Sequence, residues 1–254
     1  MHSLKQLPHV PLLTGEAIGT SIYHNLTLND LVHLPSLDDA VTQVASHYNF
    51  QRHPYICWMQ QQTTDREAFC QSQIPFRFAV ESFSQALAAV LARMPLLEER
   101  LPLANNVAEE HGYGDRHRSH KCTFHQYLNA LGANHDDFNA PCPVPVLAFN
   151  QSILTYALSQ PGENGAALLG IIEYVYVDIS ATIARTLQQR QWTAPDSQSH
   201  YAAHETLDVE HARELLTLAK PAWHSDHARP HIAQGLLLGA YYFWRLYDAL
   251  LPTL

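Results

Sequence analysis

The sequence predicts an all-α bundle, and three observations carry that prediction. Apolar residues recur mainly at helical spacing, Pro and Gly cut the chain into segments, and Ser, Thr or Asp precedes several segments where a helix N-cap belongs. With 254 residues and 46% hydrophobic content, the chain can bury a full core. One domain over 36–254 is expected, behind an irregular arm over 1–35.

The arm is rich in Pro, Gly, Thr and His and closes with a short helical turn near 28–32. Ser36, followed by Asp38 and Asp39, caps a helix running to about 49, and His53-Pro54 interrupts it before a second short helix. Thr64-Asp65-Arg66-Glu67 reads as the cap of a long helix that Pro75 kinks or breaks. The apolar segment 76–93 is helical and is closed by Pro95; a helix over 97–110 follows. Gly112-Tyr-Gly114-Asp115 makes a turn, and helical spacing resumes over 116–131. Pro143 and Pro145 precede a helix over 146–159, and Pro161-Gly-Glu-Asn-Gly165 forms the next turn. The segment 166–191 is one long apolar helix. Its Tyr-Val-Tyr-Val run favours strands but lies in a segment too long and too apolar for one. Residues 196–200 lead into another helix, and the last spans about 230–250, where Tyr241, Tyr242, Phe243 and Trp244 are expected to pack.

Charge and cysteine usage narrow the function classes. With 24 acidic and 15 basic residues, the net charge of −9 repels nucleic acid and anionic membranes. Cys57, Cys70, Cys122 and Cys142 lie far apart, so neither a disulfide framework nor a zinc ribbon is expected. No unbroken apolar run approaches the ~20 residues that cross a bilayer, and the opening Met1-His-Ser-Leu-Lys-Gln-Leu-Pro8 lacks a signal-peptide core. A cytoplasmic protein is the expectation.

The chemistry is concentrated in a few positions. In Ala203-His-Glu-Thr-Leu-Asp-Val-Glu-His-Ala212, the residues His204, Asp208 and His211 stand at i, i+4 and i+7 and share one helix face. Two imidazoles and a carboxylate on one face make a metal-ligand stripe; a solvated polar face is the alternative. Glu173, in Leu168-Leu-Gly-Ile-Ile-Glu-Tyr-Val-Tyr-Val177, is a carboxylate among apolar neighbours that needs a partner. Glu81, in Phe76-Arg-Phe-Ala-Val-Glu-Ser-Phe-Ser84, raises the same question, with a salt bridge as the other answer. Glu110 before the glycine turn pairs with His120 after it; Glu109 and His117 are the competing choices.

Together Glu81, Glu110, Glu173 and Asp208 supply four carboxylates, and His120, His204 and His211 supply three imidazoles. Such a set, free of thiolate, suits iron or manganese, and helical bundles build dinuclear centres from ligands spread over several helices. Four carboxylates also balance two divalent ions. One partition gives His120 and His211 to one iron and His204 with Glu81 and Glu173 to the other, with Glu110 or Asp208 bridging or chelating. Substrate is then expected to meet Ser84, Gln85, Val177 and Ser180 on the ligand faces. Arg77 either holds a substrate carboxylate or pairs with an acid such as Glu81.

The order Glu81, Glu110 with His120, Glu173, then His204-x3-Asp208-x2-His211, resembles the heme-oxygenase-like diiron oxidases and oxygenases, a TenA-like group of iron-containing redox enzymes. Gln73, Phe76, Ala79 and Val80 add to the likeness, which spans roughly 38–250. The resemblance implies a heme-oxygenase-like bundle of about seven core helices that binds two Fe(II) ions. O2 is the co-substrate, activated through a peroxo-diferric intermediate for N-oxygenation or oxidative C–C cleavage in specialised-metabolite biosynthesis. Members that consume their own Tyr carry a Lys after the third carboxylate, whereas 174–192 here contains none. The implied partners are a small amine or amino-acid-type substrate and an electron donor. A homodimer is compatible with the sequence, while nucleic acid and membrane are not expected.

Three other readings make different demands. A heme protein of this shape needs a proximal His such as His24, His33 or His47, but buried carboxylates are hostile to heme. A metal-independent TenA-type hydrolase needs a Cys nucleophile; Cys122 lies two residues from His120 and points another way on the helix. A TenA-like binding or regulatory protein has no need of seven convergent ligands.

Overall fold

Helix capping sets most of the element boundaries. The computed structural model describes residues 26–194 and 199–252, and within this range the side chains of 199, 200 and 202–208 are not described. The expected arm therefore lies almost wholly outside the described residues. Its closing turn is present as α1 (Leu28–Val32), with the Thr27 N–H donating to Asp30 at 2.7 Å. Ser36 caps α2 (Leu37–His47) by accepting from the Asp39 N–H at 3.1 Å. The His53 imidazole caps α3 (Pro54–Gln60), and Asp65 caps α4 (Arg66–Gln73). Pro75 separates α4 from α5 (Arg77–Arg93), and α6 (Leu97–Glu110) follows.

Three sequence boundaries need correction. The helix expected over 116–131 starts at His120: residues Arg116–Arg118 form a separate 3-10 turn, and Ser119, with extended backbone, caps α7 (His120–Leu131). A short α8 (His135–Asn139) was not anticipated, although Asn134 and Asp137 form its capping box. After α9 (Val144–Ser159), the segment expected as a turn is the start of α10 (Gly162–Arg190). Its glycines admit a neighbour: a Cβ on Gly162 would stand 2.7 Å from Met94 Sδ, and one on Gly165 would stand 2.8 Å from Val90 Cγ2. The chain ends with α11 (Ser199–Trp223) and α12 (Arg229–Leu250); among the described residues there is no strand.

α10 is the centre of the bundle. It packs against α11 and α12 most extensively and against α5 and α9 as well. By length and composition it could cross a bilayer, but most of it is buried inside the protein. Its contact with α12 is very close, because Gly235 and Gly239 present bare backbone to Asn164 and Leu168. α12 is also tied to α3: the buried His53 Nδ1 accepts from the Tyr55 N–H, which leaves Nε2–H to donate to the Trp244 carbonyl at 3.1 Å.

A buried polar knot fixes the start of α11. Gln73 Nε2 donates to the Tyr55 hydroxyl at 2.6 Å, while Tyr201 donates to Gln73 Oε1 at 2.9 Å. Gln73, Tyr55 and Tyr201 are fully buried, so the knot joins α3, α4 and α11 in a low-dielectric setting where each bond is strong.

Candidate metal centre

The turn between α6 and α7 brings the first two ligand candidates together. Gly112 has φ +64°, and a Cβ there would stand 2.7 Å from the backbone of Arg118 and Ser119. Only glycine permits this return of the chain. It delivers His120 to the first turn of α7, where Nδ1 lies 2.9 Å from Glu110 Oε1, both residues being buried.

Two more elements close on the same region. From α11, His211 places Nε2 at 3.2 Å from Glu109 Oε2 and Nδ1 at 4.0 Å from Glu173 Oε1 on α10. His211 is 3% exposed and Glu173 5%. If Nε2–H donates to Glu109, Nδ1 carries a lone pair, and among the described residues it has no hydrogen-bond partner. A buried imidazole with one nitrogen fixed by a carboxylate and the other bare is the usual preparation of a histidine for a metal. The 4.0 Å to Glu173 is about twice a metal–ligand bond of about 2 Å.

An apolar cavity opens onto these groups. Glu110, His120 and Glu173 form its polar end, and Phe76, just before α5, with Ala79, Val80 and Phe83 of α5 form one wall. Phe149, Tyr176 and Phe243 complete it from α9, α10 and α12. Among the described residues, no three His, Cys, Asp or Glu side chains converge tightly enough to hold a metal ion. The donors are instead paired with one another. His204 and Asp208 fall on α11, among the residues whose side chains are not described.

Several expectations change at this point. Glu81 does not line the cavity; it bridges to α7, with Oε1 2.9 Å from His125 Nε2 and Oε2 2.8 Å from Lys121 Nζ. Arg77 neither pairs with Glu81 nor reaches the cavity: its Nη2 donates to the carbonyls of Asp137, Phe138 and Ala140 at the end of α8. Ser84, Gln85, Val177 and Ser180 are also absent from the lining, and Val80, Phe83 and Tyr176 take their places. Tyr176, one turn after Glu173, could have been found from helical spacing; Phe149 and Phe243 arrive from distant helices and leave no local signal.

The hydrogen bond from His125 is the main cause that holds the Glu81 carboxyl down at about 2; burial opposes it and Lys121 assists. A folded pKa below the unfolded value stabilises above the ordinary carboxylate range, and the contribution is lost as pH falls from 4.5 towards about 2. Glu81→Gln is expected to cost about 1 kcal/mol at neutral pH, a partly exposed pair being worth little more. Urea unfolding at a series of pH values should show the two proteins converging through that window, with no change in iron content. A gap that persists at pH 2 would assign the effect elsewhere. Burial also pushes the Glu214 carboxyl, one turn beyond His211, above its ordinary value.

Residues 74–247 match the profile of a family described as iron-containing redox enzyme. The chain belongs to that family. No curated protein is significantly similar to this iron-containing redox enzyme in sequence. Among solved structures, a CADD-like protein of unknown function from Nostoc punctiforme is similar to it, with a TM-score of 0.68 and 14% identity over 88% of this chain and 96% of its own. A TenA homologue from P. horikoshii OT3 gives 0.64 and 12% over 89% and 98%. A domain of unknown function with a heme oxygenase-like fold from Shewanella denitrificans gives 0.63 and 14% over 84% and 91%. At such identities these likenesses show the fold: the chain is an all-α, TenA/heme-oxygenase-like bundle.

Proposed function

We propose that this protein is an O2-dependent nonheme diiron oxidase or oxygenase acting on a small amine-type metabolite, by N-oxygenation or oxidative C–C cleavage. The observation that carries the reading is His211, whose bare, buried Nδ1 faces Glu173 while Glu109 holds its other nitrogen. Glu110, His120, Glu173 and His211, joined by His204 and Asp208 of the same helix as His211, would hold two iron ions. Glu109 supports His211 from behind, and Glu81 is left to its bridge with α7.

Bound iron supplies the electrons that reduce O2, and turnover requires an electron donor. The protein's own residues do the rest. Phe76, Phe83, Phe149 and Phe243 exclude water from the cavity and leave the reacting end of a substrate against Glu110 and Glu173. If Glu110 turns from His120 Nδ1 to a metal, the 2.9 Å contact between them opens. Among the described residues, no Lys or Arg lines the cavity to pair with a substrate carboxylate. That favours an amine over the carboxylate end of an amino acid.

The hydrolase reading would need a cysteine in the cavity, and none of its lining residues is one. Anaerobic reloading with Fe(II) tests the proposal. Two irons per chain and a transient visible absorption on mixing with O2 are expected; less than one iron and no transient would overturn it.

A further inference from the structure

Asn106 is a buried amide with nothing to bond. α6 buries Leu103, Asn106 and Glu110 along one stripe, and Asn106 is 0% exposed. Among the described residues, neither its Nδ2 nor its Oδ1 has a hydrogen-bond partner. Asn150, also buried, differs: its Nδ2 donates to the Phe78 carbonyl at 2.9 Å. An unsatisfied buried amide costs about 1–3 kcal/mol, and native proteins rarely keep one without a use for it. On a helix, residues three and four apart are neighbours, so the carboxylates nearest to Asn106 along α6 are Glu109 and Glu110. Both face imidazoles, Glu109 that of His211 and Glu110 that of His120.

We propose that Asn106 is a positioning residue for bound metal: when Glu110 leaves His120 for the metal, Asn106 Nδ2 donates to the carboxylate oxygen that the metal does not take. The idea rests on the diiron reading. It adds a residue that touches neither substrate nor metal and acts through Glu110. The amide is unsatisfied without metal and satisfied with it, so its bonding energy goes into metal affinity and not into the stability of the apo fold.

That division gives the test its signs. Metal-free wild type, Asn106→Leu and Asn106→Ala are compared by calorimetric melting, and Fe(II) affinity is measured anaerobically by competition with a chelator. Leucine keeps asparagine's fork at Cγ and has nothing to satisfy, but it is larger, so apo Asn106→Leu is expected to melt below wild type by no more than ordinary overpacking costs. Fe(II) affinity is expected to fall about ten- to hundredfold in both variants, as it does when a group behind a ligand is lost. Unchanged affinity would overturn the proposal. So would a loss of apo stability in Asn106→Leu beyond that of ordinary overpacking, which would mean that the amide is already bonded without metal, to a buried water for example. Should Asn106→Leu fail to fold, the proposal falls on that ground, and Asn106→Ala then reports whether affinity depends on the amide at all. Wild type that binds less than one iron would instead bring down the diiron reading beneath it.

Discussion

Replacing His211 by alanine is expected to abolish the O2-dependent transient and to lower iron from two ions per chain to one or fewer. His211 is the residue through which α6, α10 and α11 meet: Glu109 lies 3.2 Å from one nitrogen and Glu173 4.0 Å from the other. Removing the ring takes away a proposed ligand and also leaves the partly buried Glu109 without its hydrogen bond. The metal-free variant should therefore also lose about 1–3 kcal/mol at neutral pH, the cost of a lost buried ring and of a partly buried carboxylate left without its partner. His125→Ala is the control. It removes a more exposed imidazole, 29% against 4% for His211, from the Glu81 bridge, away from the cavity, and should leave iron content and the transient intact. An unchanged transient in His211→Ala would refute the assignment of this residue, whatever happened to stability.

Among the described glycines, Gly239→Ala should be the most damaging. Its Cβ would stand 2.3 Å from the Leu168 carbonyl oxygen and 2.6 Å from Ile171 Cγ2, so a rigid helix backbone, rather than a flexible side chain, would have to move. Separating α12 from α10 costs at least the upper end of ordinary overpacking, about 3 kcal/mol, which for a chain of this size is roughly a 10 °C drop in melting temperature. Gly114→Ala provides the contrast. A Cβ there meets nothing within 4 Å, and only the left-handed backbone, φ +88°, opposes it. That substitution should cost about 1 kcal/mol. Equal losses in thermal melts of the two variants would remove close helix contact as the explanation.

The sequence made the helices legible wherever a cap or a proline marked the boundary. Ser36, Asp65 and Pro95 did so, and the helix over 97–110 was placed to the residue. It misled where one residue type serves two purposes. The glycines at 162 and 165 read as a turn and are in fact contact points inside α10. Ser119 was overlooked because the basic residues before it continue the helical spacing. The site follows the same pattern. Glu173 and Glu81 carry the same signature, an acid among apolar neighbours, yet one stands beside His211 and the other is answered by Lys121 and His125 from α7. Local sequence shows that a buried carboxylate needs a partner, whereas only the packing of helices decides which one it receives. The aromatic wall was unreadable for the same reason, being assembled from α5, α9, α10 and α12.

The central position of α10 has a consequence for how the protein is made. Its two principal partners, α11 and α12, both follow it in the chain. While the ribosome is still adding them, a 29-residue apolar helix has emerged without its cover, and in composition it resembles a segment destined for a lipid bilayer. Exposed apolar surface of this kind recruits chaperones and seeds aggregation. The last quarter of the polypeptide therefore completes the candidate metal face and also shields the newborn chain from its own centre.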